Sequence, residues 1–212
     1  MFNFRKITSV LLGASALVSV SAFADSGKVL SAANMIDRTV APWAEMAGAS
    51  FLTRDKKSIK MEGFTTNLEP NSTYTIWWVI YNKPELCVDG NGMFDEVGCG
   101  KDEVLDPELA EITKSSMLWG GGFISDAQGN AHFSAELYKK NPLGEVPMGP
   151  GLLKPKTAEV HFLIRSHGEM KVGMVKEQVS TMMANCMPMG DHACSNIQGS
   201  VHKADAGMTD GM

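Results

Sequence analysis

No segment of the 212-residue chain offers the roughly 18 to 20 successive apolar residues of a membrane-spanning helix, so no helical span is expected. Catalytic signatures are missing as well. There is no Gly-x-Ser-x-Gly, no His-Glu-x-x-His, no phosphate-binding glycine loop and no dinucleotide fingerprint. Catalysis therefore has little support. Positive charge is scarce: 19 Lys+Arg stand against 24 Asp+Glu, for a net charge of −5. Proteins that neutralise phosphates need basic patches, so nucleic acid is not an expected partner. The cysteines lack the tight Cys-x-x-Cys spacing of structural zinc sites. Internal repeats, low-complexity tracts and linkers are absent too, and a single domain is the economical organisation.

What is present begins with an export signal. Arg5 and Lys6 are followed by the uncharged, apolar residues 7–20 and then by Ala22-Phe23-Ala24, small residues at the two positions a signal peptidase reads. Residues 1–24 are expected to be removed, leaving a mature chain from Asp25 with 17 Lys+Arg (19 less Arg5 and Lys6) against 24 Asp+Glu, a net −7. No Cys stands at the cleavage point to carry a lipid. A periplasmic or secreted location follows, and an apolar content of 44% is enough for one domain with its own core.

In an oxidising compartment the four cysteines, Cys87, Cys99, Cys186 and Cys194, are expected to pair. The local pairs Cys87–Cys99 and Cys186–Cys194 are favoured, because each closes a short polar loop containing Gly or Pro.

Along the mature chain, residues 25–50 read as a partly ordered extension in which 28–35 could form a short helix. Residues 58–68 alternate loosely, 69–72 (EPNS) signal a turn, and 73–81 (TYTIWWVIY) are β-branched or aromatic throughout. These two runs read as a hairpin whose second strand, apolar on both faces, is central and covered. Asp106-Pro107 predicts a helix start with Asp as N-cap, running to about Lys114. A second hairpin is expected from 116–124 and 131–138 around the turn at 126–130. Residues 141–157 read as a Pro/Gly loop, 158–167 as a strand, 173–185 as an irregular helix and 195–202 as a closing strand. The sum is an all-β fold, expected as a single antiparallel β-sandwich of immunoglobulin-like or Greek-key type over residues 51–204, with one or two short helices in loops and a flexible tail at 205–212.

Four stretches, LEPNSTYTIWWVIYNKPELC (68–87), GPGLLKPKTAEVHFLIRSHG (149–168), VKEQVSTMMANC (175–186) and CSNIQGSVH (194–202), resemble a widespread group of exported bacterial and archaeal proteins of similar size that has no assigned function. The likeness covers roughly residues 50–203. It implies a compact secreted β-sandwich with one Cys pair after the Trp-Trp strand and another near the end, and it brings no catalytic residue with it. The longer, more acidic first Cys loop and the Met-rich ending depart from the group's pattern.

Three sets of residues could hold a metal. In the loop between Cys87 and Cys99, Asp89, Asn91 and Asp95 with the carbonyl of Met93, completed by Asp102 or Glu103, resemble the hard-oxygen spacing of a calcium loop. The fit to an EF-hand is poor, since Cys87 and Gly98 fall where its first Asp and closing Glu belong; a disulfide-closed surface loop is the plainer account. On the strand 158–167, His161 and His167 share a face, and His202 of the last strand could join them around a transition metal. Residues six apart in a strand are about 20 Å apart, however, which favours a polar, cross-strand-paired face. Met187, Met189 and His192 offer soft donors to copper(I), although Met also serves as an adaptable core filler. The primary expectation is an exported, disulfide-stabilised binding or structural protein holding calcium in the first Cys loop. A periplasmic copper-binding protein is the alternative and an unrecognised hydrolase the third. Of Trp77 and Trp78, strand alternation leaves one in the core and one available to face solvent.

Overall fold

The structure, a computed structural model, describes residues 29–37, 39, 45–87, 98–140 and 148–203. Residues 1–24, expected as an export signal, the middle of the first Cys loop and the expected tail at 205–212 lie outside the described residues. Eight antiparallel strands form the body: β1 (Val29–Asp37), β2 (Met46–Arg54), β3 (Ser58–Thr65), β4 (Ser72–Tyr81), β5 (Ser115–Ile124), β6 (Ala131–Tyr138), β7 (Glu159–Glu169) and β8 (Asn196–His202). Among the described residues three short α-helices accompany them, α1 (Asp102–Leu105), α2 (Pro107–Thr113) and α3 (Val175–Gln178), with one 3-10 turn at Pro84–Leu86.

The all-β expectation holds. Its finer form differs, because all the strands belong to one sheet in the order β5-β4-β7-β8-β1-β2-β3-β6, curled until it is nearly a barrel. Its two edges meet through side chains. Phe123 of β5 stacks on Phe133 of β6 at 6.3 Å between ring centres, and Phe133 stacks in turn on Phe162 of β7 at 5.0 Å. The residues expected as a second hairpin thus do reverse direction at 126–130, but their strands are the two rims of the sheet and share no ladder.

The first predicted hairpin is also redistributed. The 69–72 turn connects β3 to β4, yet β3 pairs with β2 and β6 while β4 pairs with β5 and β7. All ten residues of β4 are buried, so it takes the doubly covered position that its composition demands. Residues 29–37, read partly as helix, are strand β1: pairing with β2 and β8 overrides a weak local preference. The region 173–185 contains only the four-residue α3. Helix α2 follows its sequence signals: the Asp106 side chain accepts the backbone N–H groups of Glu108 and Leu109, Pro107 opens the helix, and Lys114 closes it in the left-handed region.

Alternation sorts the side chains into two cores. Met35, Leu52, Met61, Trp78 and Phe162 fill the interior. On the outer face of β4 and β7, Trp77, Val79, Tyr81 and Leu163 form a second cluster with Val104 of α1 and Cys99. Both Trp residues are therefore buried, Trp78 inside and Trp77 under the outer layer. The disulfides Cys87–Cys99 and Cys186–Cys194 are both formed.

A polar stripe runs through the interior beside the apolar one. Ser50 donates to Ser200 at 2.8 Å, His202 lies 2.9 Å from both Ser31 Oγ and Ser50 Oγ, and Thr65 donates to the Gln198 side chain. The fully buried guanidinium of Arg54 donates to the carbonyls of Pro155, Ala158 and His202. Partners within the stripe offset the desolvation of its groups.

Candidate functional site

The segment between β7 and β8 folds back over the end of β7 and carries six methionines, two cysteines and one histidine. Gln178, fully buried, donates to the Glu169 carbonyl at 3.0 Å and accepts the Lys171 N–H at 2.9 Å. Asn185 donates to the His167 carbonyl at 2.8 Å. The disulfide Cys186–Cys194 closes the loop, and Met187 N–H bonds the His192 carbonyl across it. Gly168 makes the close approach possible. Its φ is +76°, and a Cβ there would stand 2.8 Å from the His192 ring.

Beneath this loop His167 is completely buried. Its Nε2 lies 2.8 Å from Thr75 Oγ1, which accepts the indole N–H of Trp77 at 2.9 Å. The Ala184 carbonyl, 2.8 Å from Nδ1, can only accept, so the imidazole proton is assigned to Nδ1 and Nε2 accepts from the Thr75 hydroxyl. Burial lowers the His167 pKa; the nearby charges of Arg165 and His192 act the same way, against the raising effect of the Ala184 carbonyl. Nδ1 also faces the sulfurs of Cys186 and Cys194 at 3.6 and 3.8 Å.

The three histidines read as one metal set do not converge. His161 and His167 share the outer face of β7, but His202, opposite Val160, points into the barrel. Each has its own partners. His161 Nε2 is 2.6 Å from Glu159 Oε1, both side chains buried, and its ring stands edge-on to Tyr81 at 4.9 Å. Burial raises the Tyr81 phenol pKa, helped by Glu103 and Glu159. Burial drops the His202 pKa to about 4, with Arg54 and His161 adding to the effect. The polar, self-paired account of these positions is the one the contacts describe.

Of the calcium set, Asp89, Asn91, Met93 and Asp95 lie outside the described residues, and Asp102 is an exposed residue at the start of α1. Of the copper set, Met187 and Met189 are 58% and 82% exposed, and half-buried His192 meets Ser166 Oγ at 2.9 Å. Sequence reasoning missed the approach of His167 to the second disulfide. Strand alternation placed His167 on the outer face, but no spacing signal announces that residues 184–194 pack on that face. It also missed the Glu159–His161 pair, although their i, i+2 spacing on one strand was visible. Two described cavities lie elsewhere: about 480 Å³ between Phe64, Ile124 and His132, and about 250 Å³ between Leu105, Ser116 and Met148. Neither is lined by His161 or Arg165, which a hydrolase built on that face would use.

No protein-family model matches this chain, and neither do any of the curated proteins or solved structures compared with it.

Proposed function

We propose that the protein is an exported, disulfide-stabilised binding protein, periplasmic or secreted, whose methionine-rich segment between β7 and β8 takes up copper(I). One observation carries this choice over calcium. Met35 and Met61 are fully buried core fillers, whereas Met170, Met174, Met182, Met183, Met187 and Met189 are all between 36% and 82% exposed. Leaving apolar side chains in water forgoes about 0.8 kcal/mol for each CH₂ that could be buried, so packing does not account for them. A solvent-facing thioether is a soft donor suited to a d¹⁰ cation such as copper(I). The two disulfides agree with an oxidising compartment, and no helix among the described residues is long and apolar enough to cross a membrane.

The test is a copper(I) titration of the oxidised chain in competition with a chromophoric chelator. Stoichiometric, sub-micromolar binding is expected. Replacing the six exposed Met of this segment by Leu should weaken it at least tenfold while leaving the melting temperature nearly unchanged. Binding no tighter than micromolar, or unaffected by the Leu replacements, ends the proposal.

A further inference from the structure

The ring of His167 and the sulfurs of Cys186 and Cys194 place three donor atoms within 4.8 Å of one another, and none of the three is a methionine thioether. While the sulfurs are bonded to each other they cannot act as thiolates, which are the metal-binding form of cysteine. We propose that reduction of Cys186–Cys194 creates an inner site in which His167, Cys186 and Cys194 bind one d¹⁰ cation, copper(I) or zinc(II). This site goes beyond the methionine reading, since it uses other donors and exists only in the reduced protein.

The geometry is nearly in place. Metal–sulfur bonds of about 2.3 Å and metal–nitrogen bonds of about 2.0–2.1 Å at tetrahedral angles give N···S separations of about 3.6 Å and an S···S separation of about 3.8 Å. The observed distances from Nδ1 to the two sulfurs are 3.6 and 3.8 Å. Only the sulfurs must move apart, and breaking their bond releases them to do so.

The imidazole can also present the required lone pair. Nδ1 now holds the proton shared with the Ala184 carbonyl. Moving that proton to Nε2 turns the ring into a donor to Thr75 Oγ1, 2.8 Å away, whose two lone pairs can accept both this N–H and the indole N–H of Trp77. A metal-bound histidine whose other nitrogen donates to an orienting oxygen is the usual arrangement. Thr75 is thereby the positioning residue, and the hydrogen bond to Ala184 is what is given up.

The chemistry balances with a dithiol as reductant. One of its thiolates attacks the sulfur of Cys194, the less buried of the pair, and Cys186 leaves as a thiolate. The reductant's second thiol then resolves the mixed disulfide, so that the reductant is oxidised to a disulfide and the protein retains two thiols. Binding of the cation displaces two thiol protons to solvent.

The full chain is reduced with a dithiol, freed of it without oxygen, and titrated with copper(I), and separately with zinc(II), against chromophoric chelators. The reduced chain should take up one more equivalent than the oxidised chain, and the two arms show which cation is held more tightly. The double variant C186S/C194S, treated identically, should lose that equivalent although Cys87 and Cys99 remain. H167Q should bind at least tenfold more weakly. Cobalt(II) added to the reduced wild type should show thiolate charge-transfer absorption for two sulfur ligands, a readout that stands even where H167Q does not fold. No added equivalent on reduction, an added equivalent that survives in C186S/C194S, or the absence of the cobalt–thiolate band overturns the proposal. Copper(I) binding by the oxidised chain is a separate readout and tests only the methionine segment.

Discussion

Thr75 Oγ1 stands between Trp77 Nε1 and His167 Nε2, at 2.9 and 2.8 Å, and orders both rings with one hydroxyl. Replacing it by Val keeps the shape and removes both hydrogen bonds, leaving two buried polar atoms unpaired. Thr75→Val is expected to cost about 1–3 kcal/mol, whereas Thr75→Ser, which keeps the oxygen, should cost less. Urea unfolding of the two variants checks this; equal stabilities would show that the hydroxyl is dispensable.

Stability should fall in mild acid because of His202. The unfolded imidazole titrates near 6.5, while the folded one, buried between Ser31 and Ser50, titrates at about 4. Between those values the unfolded chain binds more protons, so stability is present above pH 6.5 and is lost as pH falls towards 4. The loss amounts to about 3 kcal/mol at most. His167, also lowered by burial, adds in the same direction. His202→Asn should flatten the stability–pH profile between pH 6.5 and 4, whatever it does to absolute stability. A slope identical to wild type would exclude His202 as its source.

Phe133 holds the two rims of the sheet together through its stacks on Phe123 and Phe162. Truncation to Ala should destabilise the protein by about 3–5 kcal/mol, the range for buried aromatic side chains. Hydrogen exchange should then rise first in β5 and β6. Uniform loss of protection across all the strands would contradict a local role at the seam.

Cys87–Cys99 closes a loop with a sequence separation of 12, worth about 3 kcal/mol in the chain-entropy account. The variant C87S/C99S should lose about that much in denaturant unfolding, and Tyr81, whose hydroxyl donates to the Gly100 carbonyl at 2.6 Å beneath it, should become more exposed. Unchanged Tyr81 absorbance at alkaline pH would show that the outer layer stands without the bond.

Strand locations were largely legible because they rest on local pattern. The β-branched, aromatic run 73–81 announced β4, Asp106-Pro107 announced α2, and Cys spacing suggested both disulfides. Strand neighbours were not legible. A turn as strong as EPNS at 69–72 fixes a reversal of direction, but whether the following strand returns beside its predecessor depends on which faces need cover. β4 needs cover on both faces and pairs between β5 and β7, away from β3. The same limit applied to the site. Period-two alternation put His202 opposite Val160 and so inside, a conclusion the strand pattern contained once the pairing was known. The packing of Ala184, Cys186 and Cys194 on His167 depends on an irregular loop, whose path has no period to read. Exposure of the methionines likewise follows from that path, since Met suits a core and a surface equally well.

The position of β8 has a consequence for how the molecule is assembled. It is the last described strand, yet it lies in the middle of the sheet, between β7 and β1. The strands before it divide into two groups, β5-β4-β7 and β1-β2-β3-β6, which share no ladder until β8 arrives. The pairing of β8 with β1 is short, Ile36 opposite Gly199 and Asp37 opposite Gln198, so the join is made late and across nearly the whole sequence. Contacts of such long sequence separation make folding slow, because loop closure precedes any gain from pairing. A chain that crosses a membrane unfolded, its first strands emerging before its last, therefore cannot complete its fold until the final segment is through. In a chain that emerges N-terminus first, the strand order itself withholds closure until the last of these strands is present.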